Sequence, residues 1–219
     1  MRITDGACPG LHSKALARLA HLRIRQGRLE EAEKLLARLG GGVEAEAEEA
    51  LSVAALLVAR GDAPAARRNL EQRLHGLRQH RSHLAVALGL LVDARLAGSD
   101  LDGAASAAQQ LTELASSVDS ERLGAMAADV EGRVAMARGN TEEAVVRMAA
   151  ALRAWSGLGL PFELARSRFE LGRALADSQP DVAVDHARRA LRAFESLGAA
   201  RSASRAAPSD SNARSARRA

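Results

Sequence analysis

Three histidines, His75, His80 and His83, crowd the segment LHGLRQHRSHL, and imidazole is the commonest metal ligand in proteins. A closed metal site needs four oriented ligands at a characteristic spacing. Here the spacing fits no zinc pattern, no cysteine or carboxylate completes the set, and Arg78 and Arg81 would repel a cation. The expectation is a solvated loop without a metal role.

Glu44, Glu46, Glu48 and Glu49 form the next concentration of charged groups. Negative charge is favoured where a helix begins, and that placement accounts for the run without invoking a bound cation. General acid and base work by paired carboxylates requires enclosure that shifts a pKa, and nothing in the sequence marks such a pocket. No serine, histidine and aspartate set sits in a nucleophile turn. No Gly-rich loop followed by Lys and Ser or Thr is present to cradle a phosphate. The sequence is therefore expected to encode no enzyme and to bind no cofactor.

What remains is the scaffold. Hydrophobic residues make up 47% of the 219-residue chain but aromatics only 2%, so Ala, Leu and Val must build the core. Ala, Leu, Arg and Glu lead the helix-propensity ranking, whereas sheets draw on β-branched and aromatic residues, so an all-α fold is expected. The formal net charge of +4 invites a nucleic-acid reading. Its distribution weakens that reading: Arg201, Arg205, Arg214, Arg217 and Arg218 stand against Asp210 beyond residue 198, and the body before them is formally neutral.

Helical apolar spacing recurs from Leu16 to Leu197, broken at short polar or Gly-containing turns, and reads as ten helices in five pairs. Leu16, Leu19, Ala20 and Ile24 form the first stripe, Gly27 turns the chain, and Ala32, Leu35, Leu36 and Leu39 form the second. Ala50, Val53, Ala54, Leu57 and Val58 lead through Gly61 and Asp62 to Ala66, Leu70, Leu74 and Leu77, with Pro64 in the first turn of its helix. Leu84, Leu88, Leu91 and Val92 turn near Ser99 into Leu101, Ala104, Ala108 and Leu111. The fourth pair has Leu123, Ala127, Val130 and Val134, then Ala144, Met148, Ala151, Leu152 and Trp155, with Asn140 and Glu143 spaced as a capping box between them. The fifth opens at Pro161 and carries Leu164, Ala165, Gly172 and Leu175. Ser178 and Pro180 then start a helix with Ala183, Ala187, Ala190, Leu191, Phe194 and Leu197. Turns recur about every 34 to 40 residues, the period of helical solenoids, in which each pair buries its apolar face only by stacking on its neighbours.

The segment GRVAMARGNTEEAVVRMAAAL carries Gly132, Gly139, Ala144 and Ala151 at the small positions of the tetratricopeptide repeat (TPR) pattern, which it resembles. Gly27 with Ala32 and Gly61 with Ala66 repeat the turn, while Ala, Leu or Val mostly replace the large aromatics of the pattern. The resemblance implies an all-α, TPR-like right-handed helical-repeat solenoid of about five antiparallel helix pairs. CPGLHSKALARLAHLRIRQGRLEEAEKLL and LGLPFELARSRFELGRAL also resemble segments of the TPR-like region of large actinobacterial LuxR-type transcriptional regulators. That likeness, covering about Cys8 to Ala207, implies a regulatory or interaction arm. The nucleotide-binding loop and the DNA-reading helix-turn-helix of such regulators are not in this sequence.

The TPR resemblance further implies that the first helices of the pairs line a concave groove. The residue after each small packing residue, His21, Ala55, Asp93, Arg133 and Arg173, then faces it, as does the residue three before, Ala17, Leu51, Gly89, Asp129 and Phe169. With Arg166, the expected partner site is Asp93, Asp129, Arg133, Arg166, Phe169 and Arg173. Its arginines suit a carboxylate or an acidic peptide, because guanidinium binds such groups bidentately. The opposing reading is a set of solvated arginines paired with Asp129 or nothing.

The expected organisation is a lead-in over 1–13, the repeat domain over 14–198, and a disordered basic tail over 199–219. A stand-alone solenoid, or a regulator truncated or shifted out of frame near Pro208, would both end this way. The expected partner is a protein, a peptide or a regulator domain. DNA would be met only weakly, through the tail. Cys8 is the only cysteine, so no internal disulfide forms. With no apolar run long enough for a membrane span and no signal-peptide core, a cytoplasmic protein is expected.

Overall fold

A computed structural model describes residues 9–39 and 46–199. Among them are ten helices and no strand: α1 (Pro9–Arg25), α2 (Leu29–Leu36), α3 (Glu46–Arg60), α4 (Ala63–Leu77), α5 (Arg81–Ala97), α6 (Leu101–Ser116), α7 (Glu121–Ala137), α8 (Thr141–Leu158), α9 (Pro161–Leu175) and α10 (Pro180–Ser196). The chain divides into two units, residues 1–110 and 111–219, and the division falls inside α6.

Each helix begins and ends where local chemistry says it should. Asp62 accepts from the Ala65 amide at 3.1 Å to open α4, Asp100 from Gly103 at 2.9 Å to open α6, and Ser120 from Leu123 at 3.4 Å to open α7. Pro161 and Pro180 start α9 and α10, where the missing amide hydrogen would have had no helical partner. Asn140 departs from the expected capping box: its Nδ2 donates to Glu143 Oε2 at 2.8 Å, and its side chain caps no backbone amide. Within the pairs the chain reverses through the left-handed region at Gly27, Gly61 and Gly139. Ser99 does the same at φ 58° where the other pairs use glycine. The fifth turn runs from Ala176 to Gln179 without a left-handed residue, closed by the Gln179 amide donating to the Leu175 carbonyl at 2.8 Å.

In the first unit, Ala20 of α1, Leu29 and Ala32 of α2 and Leu56 of α3 share one buried cluster. Ser52 Oγ donates to the Ala17 carbonyl at 3.1 Å and ties α3 to α1. Arg95 on α5 reaches the Gly103 carbonyl at 2.6 Å and Glu71 on α4 at 3.1 Å. In the second unit, Ala135, Ala144, Met148, Leu171, Ala174, Leu175 and Ala183 form a core drawn from α7, α8, α9 and α10. Trp155 is buried with Ala125 and Ala151, and Phe194 with Ala165, Ala190 and Ala199.

Three sequence expectations shift. Leu19 was assigned to the inward stripe of α1 but is exposed, because α2 and α3 cover the side that carries Ser13, Leu16, Ala17 and Ala20. Helix α1 starts at Pro9, inside the expected lead-in. Ala199, placed at the head of the tail, is buried in the Phe194 cluster and its amide donates to the Phe194 carbonyl at 2.8 Å. Cys8, Glu44 and the rest of the tail lie outside the described residues.

Candidate binding site

The small residue seven positions before each turn lets the two helices of a pair approach. Ala20, Ala54 and Val92 are fully buried there, and Gly132 and Gly172 leave no room even for a methyl group: a Cβ on Gly132 would lie 2.7 Å from Met148 Cγ, and one on Gly172 would lie 3.0 Å from the Ala183 carbonyl oxygen. This contact fixes the rotation of each first helix and so decides which neighbouring residues are displayed.

In the first unit the displayed set differs from expectation. Ala17, Leu51 and Ala55 are buried packing residues, and His21 and Asp93 are half-buried. Asp93 belongs to α5 in this unit, whereas Asp129, Arg133, Arg166, Phe169 and Arg173 belong to α7 and α9 of the other.

Four of those five form a network with two residues that the sequence reading did not single out, Ser167 and Glu170. The Asp129 carboxylate is 1% exposed, and burial of a charge is tolerable only when it is paired and hydrogen-bonded. Arg166 Nη2 donates to Oδ2 at 2.7 Å, Arg133 Nη2 lies 3.3 Å from the same oxygen, and Ser167 Oγ donates to Oδ1 at 3.0 Å. Two turns beyond Arg166 on α9, Arg173 Nη1 donates to Glu170 Oε2 at 2.8 Å. Phe169 goes elsewhere, packing half-buried with the α9 and α10 cluster around Phe194.

Electrostatics follow the geometry. Loss of water around Arg133, aided by the neighbouring Arg166 cation and opposed by Glu170, pushes its pKa down to about 9, so it stays charged at neutral pH. The Asp129 carboxylate raises Arg166 above its ordinary value against the cost of burial. All three arginines thus have carboxylate partners within the chain. Arg166 and Arg173 are nevertheless partly exposed on one face of α9, seven residues apart, whereas Arg133 is nearly enclosed. The arrangement can hold an anion by charge-assisted hydrogen bonds.

The histidine segment is mostly helical. His75 is in the last turn of α4, His80 is the residue before α5, and His83 is in the first turn of α5, so the expected loop shrinks to residues 78–80. The His80 and His83 rings meet edge to face at 5.6 Å. Among the described residues no group of three or more His, Cys, Asp or Glu is arranged to hold a metal ion, and no helix is long and apolar enough to cross a membrane. Of the acidic run, Glu46 begins α3, and Glu48 pairs with Arg18 at 3.1 Å.

No protein-family model matches the chain, and no curated protein does. Among solved structures it is similar to the crystal structure of a Signal Transduction ATPase with Numerous Domains (STAND) protein with a tetratricopeptide repeat sensor from Pyrococcus horikoshii. The two share 17% identity at a TM-score of 0.60, over 88% of this chain and 31% of that one. The chain therefore spans less than a third of that protein's length. The fold is an all-α helical-repeat solenoid of the TPR-like kind.

Proposed function

We propose that this chain is a protein-interaction module without catalytic chemistry of its own, serving as a regulatory or sensory arm. Two likenesses support that role: the sequence resemblance to the helical region of LuxR-type regulators, and the fold likeness to a STAND protein whose repeats are described as a sensor. A cytoplasmic setting and a tie to transcriptional control belong to the same proposal.

The observation that carries it is the buried Asp129 carboxylate, which holds Arg166 in place while a good part of that guanidinium stays exposed, with Arg173 on the same face of α9. A preorganised cation loses less entropy on binding than a free one. The ligand it suits is a carboxylate-rich peptide segment of a protein partner.

Short labelled peptides differing only in carboxylate number test this by fluorescence anisotropy. Affinity is expected to rise with carboxylate number and to fall about tenfold, one lost charged contact, in Arg166→Gln with Arg173→Gln. The variant should keep its helical content. Equal binding by the variant and the native chain would return these arginines to a structural role.

A further inference from the structure

Helix α1 is apolar on two sides. Its inward side buries Ser13, Leu16, Ala17 and Ala20, while Leu19 and Leu22, 37% and 47% exposed, stand on the opposite side. A helix apolar all round is normally covered all round.

The repeat register shows what covers this position in other pairs. Leu22 lies five residues before the turn residue Gly27. Leu56, five before Gly61, is 6% exposed; Ala94, five before Ser99, is 2% exposed; Val134, five before Gly139, is 6% exposed. Leu56 is packed with Leu29 and Ala32 of α2, the second helix of the preceding pair. The described residues contain no helix before α1, and its equivalent leucine is open.

We propose that the Leu19 and Leu22 face of α1 docks one acidic amphipathic helix of a partner protein, seated as α2 is seated on α3. Helix α2 supplies the pattern: Leu29, Ala32, Leu35 and Leu36 make its apolar stripe beside Glu30, Glu31 and Glu33. On α3, Glu33 meets Arg60 in a two-pronged contact at 2.7 and 2.8 Å. Helix α1 matches such an occupant in charge, since it carries Lys14, Arg18, Arg23 and Arg25 and no acid. Arg18 pairs with Glu48 yet leaves most of its side chain in solvent, one turn from Leu22.

The chain's own remaining segments do not fit. Residues 200–219 have five arginines against one aspartate and no apolar stripe, so they would be repelled. A second copy meeting this face with its own α1 would set base against base.

The test titrates the full chain with a labelled synthetic peptide, LEEAEKLLARLEEAEKLL, followed by anisotropy. Saturable binding is expected, weakened about tenfold or more by Leu19→Gln with Leu22→Gln, and weakened by added salt. Circular dichroism should be unchanged, because both leucines are exposed. The Arg166→Gln, Arg173→Gln variant should bind this peptide as the native chain does, which separates this face from the α9 arginines. Absence of binding, or equal binding by the leucine variant, would overturn the proposal, as would loss of binding confined to the arginine variant. A native dimer dissociated by the leucine substitutions would assign the face to a second copy instead. Capture by phosphatidylserine vesicles that the substitutions abolish would assign it to a lipid surface.

Discussion

Ser167 Oγ and Asp129 Oδ1 lie 3.0 Å apart, joining two side chains 38 residues distant in sequence and tying α9 to α7. Removing the carboxylate strands the nearly enclosed Arg133 beside Arg166. Because Arg166 is partly solvated, the penalty sits at the lower end for a broken buried pair, so Asp129→Ala should cost about 3 kcal/mol. Ser167→Ala should cost about 1 kcal/mol, one net hydrogen bond. Urea unfolding of both variants measures this, and equal losses would mean that the two arginines add nothing to the carboxylate's value.

Gly132 and Gly89 make an opposed pair. A Cβ at position 132 would meet Met148 Cγ at 2.7 Å and Met148 N at 3.2 Å, and Met148 is itself buried, so Gly132→Ala should cost about 1–3 kcal/mol by overpacking. A Cβ at position 89 meets nothing within 4 Å, so Gly89→Ala should stabilise by about 0.8 kcal/mol through helix propensity. Opposite signs in thermal melts are the expected result.

Ala144 has no solvent exposure and shares a cluster with Met148 and Leu171. Ala144→Leu should destabilise by about 1–3 kcal/mol, read from the denaturant midpoint. A neutral outcome would mean that the interior near α8 yields more readily than close packing allows.

Burial lowers the pKa of His186, with Arg168 and Arg189 adding to the effect and Asp185 opposing it. A histidine whose folded pKa is depressed stabilises the native state above its unfolded pKa and loses that contribution as pH falls through the folded value. The melting temperature should therefore drop between pH 7 and pH 5, and His186→Gln should flatten that part of the profile. An unchanged profile in the variant would assign the acid sensitivity to other groups.

Much of the fold was legible because each helix pair repeats one short pattern: a small residue, a turn seven residues on, then an alanine. Ala20, Gly27 and Ala32 state it, and Gly132, Gly139 and Ala144 restate it. The candidate site was only half legible. A first helix is covered on two sides, and a search for one apolar stripe finds one of them. On α7 that stripe is Leu123, Ala127, Val130 and Val134, whereas the second buried side is made of Ala125, Asp129 and Gly132, small or charged residues that carry no hydrophobic signal. Ser167 and Glu170 fall on the equally hidden side of α9. Leu19 misled for the converse reason, since an apolar residue announces burial without saying whether its neighbour is present.

The contact between Asp129 and α9 also bears on how the second unit comes apart. In a stacked array each pair ordinarily touches only its neighbours, and an end pair can fray while the rest stays folded. Here the fifth pair cannot peel away without exposing an unpaired carboxylate and a stranded guanidinium inside the fourth. Unzipping from that end is thereby made cooperative over two pairs, and amide hydrogens of α7 and α9 should exchange with one shared opening free energy.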